Sequence, residues 1–229
     1  TSHADNAARA SVISAGAATL RENDYFQARD LSRSRVPQVD DSEYDAFAGY
    51  PQPQKPRKVG PWLRTIYNRI AASYRDLEFY DGDRANGYGG MVDDGRWGPI
   101  ARGIVEHYGL KPEHRVLQIN AHKGFLVREL HKLDIGAIGT DPSHYASELS
   151  GGLVKVAPFA QQPFANDKFD FVIAASAVYA GNLQDAIKCL REIQRVGKGR
   201  SWVVLAAYED ENDVEGLMLL RYWFLTGKL

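Results

Sequence analysis

Large apolar residues follow two different patterns along the chain. Between Trp62 and Tyr80 they recur every three or four positions, and this spacing predicts an amphipathic helix. The same spacing returns after Pro99 and predicts a second helix that ends at Gly109. Farther on, helical patterns alternate with short apolar runs, which predict buried strands at 115–120, 137–140, 153–157, 169–178 and 201–208. Strands buried on both faces and separated by helices predict an α/β fold with a mainly parallel sheet of about five strands.

The first 60 residues show neither pattern. Residues 1–29 are rich in alanine, and residues 30–61 contain five of the 10 prolines of the chain. Because proline fixes φ and moves the preceding residue out of the helical region, this stretch should be extended. It is either an arm that lies along a surface or a disordered linker. The pattern divides the chain into an N-terminal helix and extended arm (1–60), a helical lid (61–110) and an α/β core (111–229).

The lid is predicted to contain a glycine-rich loop. Six glycines between residues 82 and 98 are interrupted by Tyr80, Tyr88 and Trp97, and so many glycines do not form a regular helix or strand. The loop either closes over a ligand or caps the sheet. Arg96 belongs to the same segment and joins the three aromatic residues as a candidate contact for a ligand.

Composition and charge exclude several classes of function. With 44% hydrophobic and 25% charged residues, the composition is that of a globular protein. The 28 basic and 29 acidic residues leave a formal net charge of −1, so we expect no nucleic-acid partner. No apolar run has the roughly 18 residues that a membrane helix needs, and no export signal is seen, which predicts a cytoplasmic protein. Since Cys189 is the single cysteine and the histidines lack ligand spacing, no metal site is expected.

Polar residues follow the predicted strands where ligands bind in parallel sheets, at the carboxyl ends. The first strand is followed by the stretch Asn120 to Phe125, and the second ends at Asp141. Asp141 lies 17 residues after Gly124, a spacing typical of an acid that holds a ribose diol from the neighbouring strand. The alternative role for Asp141 is a helix cap before Pro142.

Four stretches of the sequence resemble motifs of the class I S-adenosylmethionine-dependent methyltransferases. They are VLQINAHKGFLVREL, GTDPS, QPFANDKFDFVIAASAV and CLREIQRVGKG. The resemblance covers about Trp62 to Leu229, and YDGDRANGYGG with the following DGRW is similar to the lid of a bacterial small-molecule branch of that family. The resemblance implies a Rossmann-like sheet and S-adenosylmethionine as cofactor.

The resemblance also implies the site residues. The residues expected around the cofactor are Gln118, Asn120, His122, Gly124, Asp141, Pro158, Phe159, Ser176, Tyr80, Arg96 and Trp97. The candidates for a catalytic base are Tyr179, His122 and Tyr88. The sequence departs from the family where Gln118 replaces an acid and where Asn120 and His122 replace glycines. Pro158 stands where relatives often carry an acid for the adenine amino group.

Two functions follow from these observations. The first is methyl transfer to a small molecule with a hydroxyl, amino or carbohydrate-type acceptor. The second is a catalytically inactive methyltransferase-fold scaffold or complex subunit that docks through residues 1–60. The family normally has seven strands, so the apolar strand at 201–208 would form an uncovered edge here. We expect that a partner or a second copy covers this edge, that the last helix folds over it, or that the chain is part of a longer protein.

Overall fold

A five-stranded parallel sheet forms the centre of the protein, in a computed structural model that describes Ala46 and residues 64–204. Its strands follow the spatial order β3-β2-β1-β4-β5. Their bounds are β1 Arg115–Ile119, β2 Gly136–Asp141, β3 Val154–Val156, β4 Phe171–Ala174 and β5 Ser201–Val203. Every pairing is parallel, and Arg115 of β1 stands opposite Gly136 of β2. The predicted α/β fold with a parallel sheet is confirmed.

Six α-helices lie before and between the strands in the described part of the chain. Their bounds are α1 Ile66–Tyr74, α2 Leu77–Tyr80, α3 Trp97–His107, α4 Phe125–Lys132, α5 His144–Leu149 and α6 Leu183–Val196. A 3-10 turn at Val178–Ala180 follows β4. Since β1 lies between β2 and β4, the chain reverses its direction of winding there, and the carboxyl ends of these strands meet at the switch point.

The core lies between the sheet and α6. The central strands β1 and β4 are buried almost throughout because both of their faces are covered, and Leu117 and Ile119 of β1 are fully buried. Cys189 and Ile193 of α6 pack into the same cluster. Burial raises the pKa of the Cys189 thiol to about 12, so this cysteine is a core residue, as its position on the apolar side of a predicted helix indicates.

The turn after β1 packs closely against β2, and this contact requires a glycine. A β-carbon at Gly139 would lie 2.4 Å from the β-carbon of Ala121, far below van der Waals contact. A β-carbon at Gly124 would lie 3.1 Å from Cγ2 of Val154. Both glycines therefore hold the turn against the sheet, and Gly124 also takes a positive φ of 77°.

Two predicted elements differ from the structure. The helix expected between Trp62 and Tyr80 is divided at Arg75, which adopts a left-handed conformation with φ 51° before Asp76 caps α2. The run 169–178 is not one strand, because β4 ends at Ala174 and Ser176 turns the chain with φ 59°. Hydrophobicity identified the buried stretch, but it gave no signal for the turn inside it.

Several predictions fall on parts of the chain outside the described residues. These are the arm at 1–60, the edge of strand 201–208 beyond residue 204 and the last helix, so they stay predictions, as do the domain boundaries. No helix within residues 64–204 is long and apolar enough to cross a membrane.

Candidate active site

Three residues in the turn after β1 have positive φ angles, at the positions where the family carries glycines. The angles are 63° at Asn120, 51° at His122 and 77° at Gly124. Asparagine and histidine are both among the non-glycine residues that adopt this region most often. The backbone thus keeps the positive φ angles of a glycine-rich turn, although Asn120 and His122 carry side chains there. The Asn120 side chain donates from Nδ2 to the carbonyl oxygen of Ala175 at 3.2 Å, and this hydrogen bond joins the ends of β1 and β4.

Asp141 ends β2 and is fully buried, and all of its acceptor positions are filled. Its Oδ1 accepts hydrogen bonds from the Tyr80 hydroxyl at 3.2 Å and the backbone N–H of Ser143 at 3.0 Å. Its Oδ2 accepts from Arg75 Nη2 at 3.2 Å and the backbone N–H of His122 at 3.0 Å. A carboxylate offers about four lone-pair positions. The N-cap of α5 is Ser143, so the alternative that Asp141 caps this helix is wrong.

His122 connects Asp141 to the lid. Its Nδ1 lies 3.3 Å from the Tyr80 hydroxyl, and its Nε2 lies 3.3 Å from the Tyr88 hydroxyl. Burial lowers the pKa of His122 to about 4, with Asp141 opposing this shift and Arg75 adding to it. The imidazole is therefore neutral at pH 7. With Nδ1 protonated and donating to the Tyr80 oxygen, Nε2 accepts the Tyr88 proton; with Nε2 protonated, Nδ1 accepts from Arg75 Nη2 at 3.5 Å.

Arg75 is the central residue of this cluster, although no pattern in the sequence predicts a role for it. Its Nη2 contacts Asn120 Oδ1 at 2.8 Å and the Tyr80 hydroxyl at 3.3 Å, besides Asp141. Burial disfavours the charged guanidinium, but the Asp141 carboxylate outweighs this and raises the pKa of Arg75. The positive charge is thus fixed at the end of β2. Burial also raises the pKa of Tyr80, which keeps its hydroxyl protonated.

Two ion pairs hold the lid loop on the turn and on α4. Lys123 Nζ lies 2.7 Å from both carboxylate oxygens of Asp81 and 2.9 Å from the carbonyl oxygen of Met91. The Tyr145 hydroxyl donates to the same carboxylate at 2.7 Å. Arg128 of α4 pairs with Asp93 at 3.3 Å. The lid therefore lies closed over the turn after β1.

The lid residues predicted as cofactor contacts do not all reach this cluster. Tyr80 is buried against Asp141, and Tyr88 contacts His122 with 39% of its surface exposed. Arg96 instead donates from Nε to Asp94 at 2.7 Å, immediately before α3. Trp97 is the first residue of α3. The glycine-rich loop lies beside this cluster, but its sequence did not show which side chains turn inwards.

An apolar cavity of about 340 Å³ opens beside Asp141, where the loops after β2, β3 and β4 meet. Its lining includes Pro142, Pro158, Phe159, Ala177, Val178 and Asp185. Two of the predicted cofactor residues, Pro158 and Phe159, are thus part of it. Tyr179 lies in the adjacent 3-10 turn and donates to Ser176 Oγ at 2.6 Å, so the structure pairs these two predicted residues with each other.

Gln118 of β1 carries an unsatisfied polar atom. Its Oε1 is buried and finds no hydrogen-bond partner within the described residues. Such an atom costs free energy unless a ligand or water satisfies it. No group of three or more His, Cys, Asp or Glu side chains in the described part of the chain could hold a metal ion.

The comparisons with known proteins agree with this architecture. Residues 117–205 match the family model of a methyltransferase domain. YcgJ from Bacillus subtilis is 24% identical over 53% of this chain and 57% of its own, with a TM-score of 0.44. An S-adenosylmethionine-dependent methyltransferase from Methanosarcina mazei is 20% identical over 52% of this chain and 63% of its own, with a TM-score of 0.43.

A third structure joins the Haloferax volcanii Trm112 methyltransferase activator to a putative methyltransferase. The likeness is 22% identity over 51% of this chain and 58% of that chain, with a TM-score of 0.40. The chain thus spans less than two thirds of these solved structures. No curated protein matches it. Over residues 117–205 the chain is therefore similar to a methyltransferase domain, and S-adenosylmethionine is the cofactor that the resemblance in the sequence implies.

The residues at the site fit this cofactor in kind. The cavity beside Asp141 suits a flat, largely apolar ring system, and Gln118 offers a buried acceptor on the adjacent strand. Asp141 contacts the turn through the backbone N–H of His122 and directly precedes Pro142 of the cavity lining, at a strand end where a ribose diol would need an acid. One feature conflicts with binding, because the donors on Asp141 already come from the chain itself.

Proposed function

We propose that this protein transfers a methyl group from S-adenosylmethionine to a small molecule with a hydroxyl, amino or carbohydrate-type acceptor. The observation that supports the proposal is the position of Asp141, a buried carboxylate at the end of β2 beside an apolar cavity. In a parallel sheet this is the place where a nucleoside ligand binds, with the acid on the ribose and the ring in the cavity.

The roles of the chain's residues follow from their positions. Asp141 would hold the ribose diol, while Pro158 and Phe159 would contact the adenine. The unsatisfied Oε1 of Gln118 would accept from the cofactor's ammonium group. The cofactor supplies an electrophilic methyl group on a sulfonium. The protein's contribution is to hold the acceptor close to it and to exclude water.

The acceptor would meet His122 and Tyr88. His122 is neutral at pH 7, and its Nε2 faces the partly exposed Tyr88 hydroxyl, so it can take a proton from an acceptor hydroxyl placed there. Two of the three predicted bases, His122 and Tyr88, lie in contact with each other. Tyr179 stays a prediction, since its hydroxyl donates to Ser176.

Titration calorimetry with S-adenosylmethionine tests the proposal. We expect the wild-type chain to bind, and Asp141→Asn to weaken binding about tenfold or more, because it removes a charged acceptor. Asp170→Asn is the matched control, since Asp170 precedes β4 at the opposite edge of the sheet. It should bind as the wild type does. Absence of heat at millimolar ligand would contradict the proposal. Where binding is seen, radiolabelled methyl transfer to small hydroxyl and amino compounds tests catalysis separately.

The alternative is an inactive scaffold or complex subunit. The filled acceptor positions of Asp141 and the side chain of His122 in the turn favour it, because both obstruct a cofactor. In this case folded wild-type protein would bind no cofactor, and removal of residues 1–60 would abolish association with a second copy or a partner. Light scattering of the full-length and shortened chains measures the association, and a chain that is monomeric with or without these residues would contradict the self-association.

A further inference from the structure

The four donors to Asp141 are of two kinds. The backbone N–H groups of His122 and Ser143 belong to the turn after β1 and to the start of α5, and they cannot leave without unfolding these elements. The side chains of Arg75 and Tyr80 come from the segment before the core and approach from the lid side. Only the second kind can be exchanged for a ligand.

The side-chain donors are divided evenly between the two carboxylate oxygens. Tyr80 and Ser143 N–H share Oδ1, and Arg75 and His122 N–H share Oδ2. A vicinal diol needs one acceptor position on each oxygen, and Arg75 and Tyr80 together take those two positions. We propose that Arg75 and Tyr80 are internal competitors for the ribose diol, so that the cofactor binds only when both side chains leave Asp141. This inference rests on the proposed role of Asp141 as ribose ligand.

Arg75 has other contacts that can receive it when it leaves the carboxylate. Its Nη2 also donates to Asn120 Oδ1 at 2.8 Å. Its guanidinium lies 5.0 Å from the ring centre of Phe79 and 5.3 Å from that of Phe159, which lines the cavity. The backbone of Arg75 is anchored, since its carbonyl oxygen accepts from the Ser143 hydroxyl. Rotation of the side chain therefore suffices to release Oδ2.

Tyr80 is released in a different way. It is fully buried, and its ring stacks against Tyr88 at 6.0 Å and Tyr145 at 6.2 Å between ring centres. It is the last residue of α2, a helix of only four residues. Its hydroxyl can leave Oδ1 only if α2 and the lid loop shift together. The diol and the closed position of the lid are thus mutually exclusive, which couples binding to lid movement.

Binding of nucleosides with and without the diol tests this competition directly. The ligands are adenosine and 2′,3′-dideoxyadenosine, titrated into the wild type, Tyr80→Phe and the matched control Tyr67→Phe. Tyr80→Phe removes one donor from Asp141 and keeps the ring. We expect it to bind adenosine about tenfold more tightly than the wild type, the scale of one hydrogen bond to a charged group, and to leave dideoxyadenosine unchanged. Tyr67→Phe, which changes an exposed tyrosine of α1, should change neither.

Arg75→Gln provides a second variant and should also favour adenosine over the dideoxy compound. Thermal melting of each variant ensures that folded proteins are compared. Adenosine affinity that is unchanged or weaker in both folded variants would overturn the inference, and so would an equal gain for both nucleosides. If the wild type binds and transfers methyl groups while the variants show no gain, the inference fails and the proposed function stands. If the variants bind adenosine more tightly but no methyl transfer is seen, the inference stands and the proposed function fails. If neither the wild type nor the variants bind, the inference and the proposed function both fail.

Discussion

An aspartate paired with cations lies at the amino ends of the strands, here called the amino edge of the sheet, and another lies at their carboxyl ends, the carboxyl edge. The two carboxylates differ strongly in their exposure to water. At the amino edge, Asp170 pairs with Lys198 at 2.7 Å and Arg115 at 3.9 Å, with 20% of its side chain exposed. At the carboxyl edge, Asp141 is fully buried and pairs with Arg75 at 3.2 Å. Water can reach the carboxylate of Asp170 and replace its donors, whereas the carboxylate of Asp141 is fully buried. The same type of ion pair therefore contributes little at one edge and controls the structure of the other.

The largest effect is expected from neutralising the two aspartates in turn. Asp141→Asn leaves the buried Arg75 without its counter-ion, which should lower the free energy of unfolding by about 3–5 kcal/mol. Asp170→Asn breaks solvated pairs and should cost about 1 kcal/mol or less. Urea denaturation of both variants measures the difference. Equal losses would show that the burial of Asp141 does not distinguish the two edges.

The pH dependence of stability should come from the carboxyl edge. His122 has a pKa near 4 in the folded protein and about 6.5 when unfolded, so the unfolded chain binds the extra proton between these values. The free energy of unfolding should therefore fall by about 3 kcal/mol as the pH falls from 7 to 4.

His122→Asn removes this titration and keeps a residue that tolerates positive φ. Its stability should decline less over the same pH range in parallel urea titrations. A decline as steep as that of the wild type would assign the acid sensitivity to other groups.

The close packing of the carboxyl edge can be compared with the amino edge through two glycines of β2. Gly139→Ala would place its β-carbon 2.4 Å from Ala121, and overpacking of this kind costs about 1–3 kcal/mol. Gly136→Ala, at the start of the strand, meets its nearest atom at 3.6 Å, an ordinary contact. It should leave the melting temperature nearly unchanged. A similar shift in both variants would contradict the tighter packing near the site.

The smallest effect is expected from a thiol reagent on Cys189. Burial raises the pKa of this thiol to about 12, so the folded protein should not react at pH 8. Labelling should then proceed only through unfolding and should be faster in Asp141→Asn than in Asp170→Asn. Rapid labelling of the folded wild type would show that the α6 face of the core opens to solvent.

The sequence predicted the sheet well because apolar runs record burial on both faces. The expected strands at 115–120, 137–140 and 153–157 correspond to β1, β2 and β3, although β1 and β3 are shorter than expected and β2 is one residue longer at each end. The turn at Ser176 was missed, since serine has no strong preference for the positive φ that ends β4. Asp141 and Pro158 were placed near the site because strand ends meet at one edge of a parallel sheet.

The sequence by itself determined the α/β architecture, the acid at the end of β2 and the departures from glycine at Asn120 and His122. Hydrophobic periodicity and motif spacing are local properties of the sequence, and each predicts one element or one turn at a time. Only the tertiary structure decided that Arg75 and Tyr80 fill the acceptor positions of Asp141. These partners lie 66 and 61 residues away along the chain, and their contact depends on how the lid packs on the sheet. A buried carboxylate must satisfy its lone pairs with whichever donors the folded chain brings to it.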